Sequence, residues 1–175
     1  AVFVAIAVVV ALRRKSSGDV LRVIGVNSLH DVLLPDSVGG QIHLEHVLLT
    51  AKGIVVVDVK SFDGTIFASN RSEEWTVISG LQRFTFPNPQ VALFDRVAAI
   101  KAISRDIPVN GVILFSGNSE FAKDRPSDTI FPSEMLEQFR KPDVAELERI
   151  VEAFAPHWEK VVSASESAFQ ATERV

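Results

Sequence analysis

Asp58 and Lys60 are charges set into an otherwise apolar stretch, Gly53-Ile54-Val55-Val56-Val57-Asp58-Val59-Lys60. Its β-branched residues predict a strand. In a strand Ile54, Val56, Asp58 and Lys60 share one face, and Val55, Val57 and Val59 share the other. Burying a carboxylate and an ammonium there is costly unless they pair or serve a site. The run before it, residues 41–50 (QIHLEHVLLT), is a second strand candidate. Only Ala51, Lys52 and the turn residue Gly53 lie between, so the two form a hairpin. With a two- or four-residue loop, Thr50 meets Gly53, Glu45 stands opposite Asp58, and His43 stands opposite Lys60. A three-residue loop with Gly53 in a bulge sends Glu45 to the other face.

Facing carboxylates, with Cβ atoms roughly 5 Å apart, repel unless a divalent cation lies between them. Hard oxygen ligands suit Mg²⁺, or Mn²⁺ in its place, better than Zn²⁺. Such an ion polarises a phosphodiester and lowers the pKa of a bound water, while Lys60 orients that water or offsets developing negative charge. The competing arrangement is an Asp58–Lys60 ion pair at the sheet margin with Glu45 solvated on an edge. His43 and His46 are three apart in a strand and point to opposite faces, so at most one joins the site. His46 reads as a packing or surface residue.

Other elements must position this hairpin. Residues 19–34 are apolar-rich but poorly periodic, and residues 36–40 form a loop with two adjacent glycines. Asp63-Gly64 marks a second turn before Thr65-Ile66-Phe67, and Trp75 to Ile78 reads as a short strand. Residues 84–89 carry two prolines and read as irregular. Leu93, Phe94, Val97, Ile100 and Ile103 recur at helical spacing, predicting an amphipathic helix from Val91 to about Arg105. Val112 to Phe115 is a continuous apolar run, the pattern of a strand covered on both faces. Ser133 caps a short helix through Phe139. Asp143 and Glu146 make a capping box for a helix that Pro156 interrupts, and residues 157–175 read as a fraying end. The order predicts an α/β fold with a mixed central sheet flanked by helices. Trp75 reads as a core aromatic, and Asn88-Pro89 as a helix start.

The chain has 175 residues and no cysteine, which excludes thiol catalysis, zinc ribbons and disulfide scaffolds. No glycine-rich phosphate loop occurs, so a nucleotide cofactor lacks support. Of the residues, 47% are hydrophobic, but residues 1–12 are wholly apolar, and the rest of the chain is at about 43%. Arg13-Arg14-Lys15 follow that run and hold three of the positive charges, so residues 16–175 carry −7 against −4 for the whole chain. That acidity gives little electrostatic support to nucleic-acid binding. Twelve helical residues span roughly 18 Å against roughly 30 Å of hydrocarbon, so the run reads as the C-terminal part of a transmembrane anchor. Its basic flank would place the domain on the cytoplasmic side. The competing reading is a buried strand or core helix. The expected organisation is a partial transmembrane anchor with its basic flank at 1–15, an α/β domain at 16–142 and a helical extension at 143–175.

The ordered set His30-Asp31-Val32-Leu33-Leu34-Pro35, residues 41–60, Gly64, Trp75 and Asn88-Pro89 resembles the nuclease-related domain (NERD) family, over roughly residues 28–132. That family belongs with PD-(D/E)xK endonuclease-like folds, so the resemblance implies a restriction-endonuclease-like architecture. Its pattern of an acid before His, a glycine turn and then an acid two places before Lys is matched by Glu45-His46, Gly53 and Asp58-Val59-Lys60. Here Glu45 stands where the family usually has Asp, and only Gly18-Asp19 stands near the family's first-helix Gly-Glu pair. The resemblance implies a metal site at Glu45, Asp58 and the Val59 carbonyl, with Lys60 as the catalytic cation. The activity implied is Mg²⁺-dependent cleavage of DNA or RNA, tethered to a membrane. The alternative is an interaction module on the same fold without enzymatic activity.

Overall fold

The computed structural model describes residues 16–36 and 38–167. At its centre lies the strand that carries Asp58 and Lys60. Residues 53–58 are all buried, because this strand, β3 (Gly53–Ser61), lies between β2 (Gln41–Thr50) and β7 (Val109–Ser116). Burial on both faces accounts for its uninterrupted Ile/Val run. β1 (Asn27–Pro35) flanks β2, and the short strands β10 (Glu166–Ser167) and β9 (Thr129–Ile130) close the two edges. β1, β2 and β3 pair antiparallel, whereas β7 runs parallel to β3 from Ile54↔Val109 to Ser61↔Ser116.

The parallel step from β3 to β7 needs a long crossover, and here it holds a second sheet and a helix. β4 (Gly64–Phe67), β5 (Glu74–Ser79) and β6 (Gln82–Pro87) form a meander, to which β8 (Ser119–Phe121) adds in parallel. Trp75 of this sheet packs on its neighbour Phe86 and on Phe115 of β7, and all three join the larger core. The segment expected to be irregular is therefore largely the strand β6: an edge strand tolerates Pro87 at its end.

Helices cover both faces of the central sheet. α1 (Ser17–Ile24) and α3 (Pro132–Gln138) bring Val20, Leu21, Ile24 and Met135 onto Leu48, Val55, Val57, Val112 and Leu114. α2 (Pro89–Ile103) and α4 (Val144–Ala164) bring Leu93, Ile100, Trp158 and Val161 onto the face of Val47, Leu49, Ile54 and Val56. This is a mixed α/β architecture of restriction-endonuclease-like type. The poorly periodic stretch of residues 19–34 resolves into α1 and β1, two elements of different period joined at Gly25. In α2, Leu93 and Ile100 are buried as expected, but Phe94 is 54% exposed.

Pro156 does not end α4. The helix continues to Ala164, and Trp158 and Val161, beyond the proline, are buried. A missing N–H and a ring clash weaken a helix, but tertiary packing of the following turns holds this one. Asp143 caps α4 by accepting from the Glu146 N–H at 3.0 Å. At α3 the cap position is Phe131 rather than Ser133, and Glu134 reaches back to accept the Phe131 N–H at 2.9 Å. The apolar run and basic cluster of residues 1–15 lie outside the described residues. Among the described residues, no helix is long and apolar enough to cross a membrane.

Candidate active site

The β2–β3 hairpin closes through a two-residue turn, with Thr50↔Gly53 and Leu49↔Ile54 in register. Gly53 has φ +105°, and a Cβ there would stand 2.2 Å from the Pro108 carbonyl oxygen, so only glycine fits. The ladder runs to His46↔Val57 and stops one pair short of Glu45 and Asp58. At that point the in/out alternation of β2 slips. Leu44 packs in the same core as Val47 and Leu49, while His46 and Leu48 line a cavity under α1. β1 slips at the paired position: Leu29 and Val32 pack on one core, and Asp31 between them takes φ +49°. A left-handed Asp within a strand is uncommon, and such strain gathers at functional sites.

Glu45 sits at this slip. Its Oε2 accepts the Val59 N–H at 3.3 Å, and its Oε1 lies 3.5 Å from His46 Nε2. The side chain thus bridges the gap that the ended ladder leaves between β2 and β3. Asp58 is only 3% exposed, on the α2 side of β3. Burial pushes its carboxyl above the usual carboxylate range; Arg96 and Lys60 pull it back down, and Glu45 raises it further. Glu45, Asp58 and Lys60 therefore form one electrostatic neighbourhood. Lys60 makes no ion pair among the described residues, and the Asp58–Lys60 pair weighed above does not form.

The partner of Asp58 is Arg96, from α2. Its Nη1 donates to Asp58 Oδ2, and its Nε donates to the His43 carbonyl at 2.8 Å. Sequence reasoning misses this residue, although it falls beside the core-facing stripe of Leu93, Val97 and Ile100. A lone arginine there is a signal of a buried acid on the sheet. Two features seat α2. Gly111 of β7 lets Leu93 and Val97 approach so closely that a Cβ would meet Val97 Cγ2 at 2.6 Å. At the helix start, Asn88 Oδ1 caps the Gln90 N–H, and the buried Gln90 amide donates to Asn70 Oδ1 at 2.9 Å and to the Ser127 carbonyl at 3.0 Å.

Three of the four histidines divide between two neighbourhoods. His43 Nε2 lies 3.3 Å from Asp31 Oδ1. His46 Nδ1 and His30 Nδ1 are 2.7 Å apart, and His30 Nε2 lies 3.0 Å from Ser28 Oγ, in the cavity of about 380 Å³ under α1. Burial, foremost, lowers the His46 imidazole below its ordinary 6.5; the nearby His30 acts the same way, and Glu45 opposes. Trp75 is fully buried and donates its indole N–H to the Ser69 carbonyl at 3.0 Å, as a core aromatic.

Among the described residues no three His, Asp or Glu side chains stand together as a ready metal cage. The donor chemistry nonetheless fits a hard divalent cation: two carboxylates and the Val59 carbonyl, with one carboxylate buried and held against a cationic guanidinium. Arg96 fills the place of positive charge that Asp58 requires.

A mixed sheet with this hairpin at its centre is the frame of a nuclease-related domain. The nuclease-related domain family matches residues 7–116, and the chain belongs to it. An uncharacterized protein of Bacillus anthracis is 25% identical over 88 residues, covering 50% of this chain. The matched region spans 42% of that relative's length. No solved structure matches the chain.

Proposed function

We propose that the domain hydrolyses phosphodiester bonds of DNA or RNA, with Glu45, Asp58 and the Val59 carbonyl holding Mg²⁺, or Mn²⁺ in its place. One observation carries the reading: in a nuclease-related domain, a buried carboxylate, Asp58, shares its charge environment with Glu45 and Lys60 where the hairpin ladder ends. When bound, the metal supplies a Lewis acid for the phosphate oxygen and a water of lowered pKa. The Val59 N–H fixes Glu45, and the β3–β7 pairing fixes Asp58 and Lys60 on one strand face. Lys60, which has no ion-pair partner among the described residues, orients the attacking water and offsets charge on the phosphate as it builds. The apolar run at residues 1–12 followed by Arg13, Arg14 and Lys15 supports a membrane tether with the domain facing the cytoplasm.

The test is cleavage of single- and double-stranded DNA and RNA with Mg²⁺ or Mn²⁺. Asp58→Ala and Lys60→Ala are each expected to lower the rate on the order of 10²-fold or more. Activity that survives both changes overturns the reading. A second reading, a non-cleaving interaction module, is favoured by one observation: Asp58 already has a cation, Arg96. Under that reading the wild type cleaves nothing with either metal.

A further inference from the structure

We infer that the Arg96 guanidinium and a divalent cation are alternative occupants of Asp58, so that Arg96 is a displaceable internal cation governing metal entry. This rests on the proposed cation site at Asp58. Arg96 Nη1 donates directly to Asp58 Oδ2, one of the two oxygens a metal would use. A carboxylate has lone pairs enough for a hydrogen bond and an ion together, but an ion on this one would stand a few ångströms from the guanidinium, and like charges that close in a poorly hydrated site repel strongly.

The geometry also shows why Arg96 can leave. Asp58 is almost wholly buried and needs a positive partner, but Arg96 has 22% of its side chain exposed and reaches the site from a helix edge. Its other anchor among the described residues is a main-chain acceptor, the His43 carbonyl, a neutral contact worth less than the charge pair it accompanies. A guanidinium on a long stem can swing toward solvent at small cost. Asp58, held in β3 between β2 and β7, has no such freedom. When the metal enters, Asp58 exchanges one cation for another and is never left buried without a partner, which is the costly state. Arg96 is thus a positioning residue: it holds the Asp58 carboxylate in place, and it competes with the metal that this carboxylate would bind.

The experiment is Mn²⁺ binding to the full chain, read by loss of the free Mn²⁺ paramagnetic resonance signal. Arg96→Gln, which keeps the bulk and a hydrogen-bonding tip, is expected to bind Mn²⁺ about tenfold more tightly or better than the wild type. Adding Asp58→Asn to that variant is expected to abolish the gain. Should Arg96→Gln fold poorly, the wild type itself decides: the Nε–H resonance of Arg96, which donates to the His43 carbonyl, is expected to shift and exchange faster as Mg²⁺ is added, and to stay unchanged in Asp58→Asn. Equal or weaker Mn²⁺ affinity in a folded Arg96→Gln protein, or an Arg96 signal indifferent to Mg²⁺, overturns the inference. Nucleic-acid cleavage measured on the same samples keeps the two readings apart. Tighter Mn²⁺ binding without any cleavage removes the nuclease reading alone, and cleavage with unchanged Mn²⁺ affinity removes the exchange alone.

Discussion

His46 joins two neighbourhoods, with one ring nitrogen toward Glu45 and the other against His30. Burial holds its imidazole below the ordinary value near 6.5, so the folded protein takes up this proton less readily than the unfolded chain does. The resulting contribution to stability is complete above about pH 6.5 and is lost as the pH falls through the lowered folded value. Protonating His46 would also set a cation against His30, whose Nδ1 is in hydrogen-bond contact. His46→Gln removes the titration, so its urea midpoint is expected to fall less than that of the wild type on acidification below about pH 6.5. Parallel losses in the two proteins would show that His46 is not the group responsible. The sequence pattern makes His46 a packing or surface residue; half-buried, it packs edge-on against the His30 ring and also reaches Glu45. The reason is the slip at Glu45, which no count of alternating residues contains.

Between elements, the hairpin was readable and the helix contact was not. The run of β-branched residues, the short turn and Gly53 are local features, and they set the register from Thr50↔Gly53 onward. Arg96 reaches Asp58 across 38 positions, and that approach depends on how closely α2 lies on β7. Gly111 sets the distance, since a methyl there would collide with Leu93 and Val97. Pro156 shows the same limit in reverse: local chemistry predicted a helix end, and the burial of Trp158 and Val161 prevailed. Gly111→Ala is therefore expected to destabilise the fold by about 1–3 kcal/mol by over-packing. Displacing α2 also displaces Arg96. Gly18→Ala is the control, because among the described residues a Cβ there meets nothing nearer than 4.0 Å in a helix, and it is expected to be neutral or stabilising by about 0.4–1 kcal/mol. Urea denaturation of both variants checks the pair, and equal midpoints would remove Gly111 as the determinant of helix seating.

At the scale of the molecule, the question is whether the second sheet and α4 unfold with the central sheet or apart from it. The larger core contains Trp75 from the second sheet, Trp158 from α4, and Ile54, Val56 and Phe115 from the central strands. A core shared in this way leaves no element able to open without exposing apolar surface in the others, which is the condition for one cooperative transition. The chain has two tryptophans, and they lie in the two elements at issue. Trp158→Phe leaves Trp75 as the fluorescent reporter of the second sheet, and Trp75→Phe leaves Trp158 as the reporter of α4. In each variant the fluorescence transition in urea is expected to superimpose on that variant's far-ultraviolet circular dichroism. Trp158→Ala, which empties a buried site under α4, is expected to cost about 3–5 kcal/mol while leaving the urea slope unchanged. A Trp158 signal that melts before the backbone signal would make α4 a separable layer. A Trp75 signal that does so would assign that independence to the crossover sheet. The distinction reaches the site, because the crossover that carries the second sheet also carries α2. A sheet free to open on its own would loosen the anchoring of α2 through Asn88 and Gln90, whereas one cooperative core keeps α2, and with it Arg96, within reach of Asp58 until the whole domain unfolds.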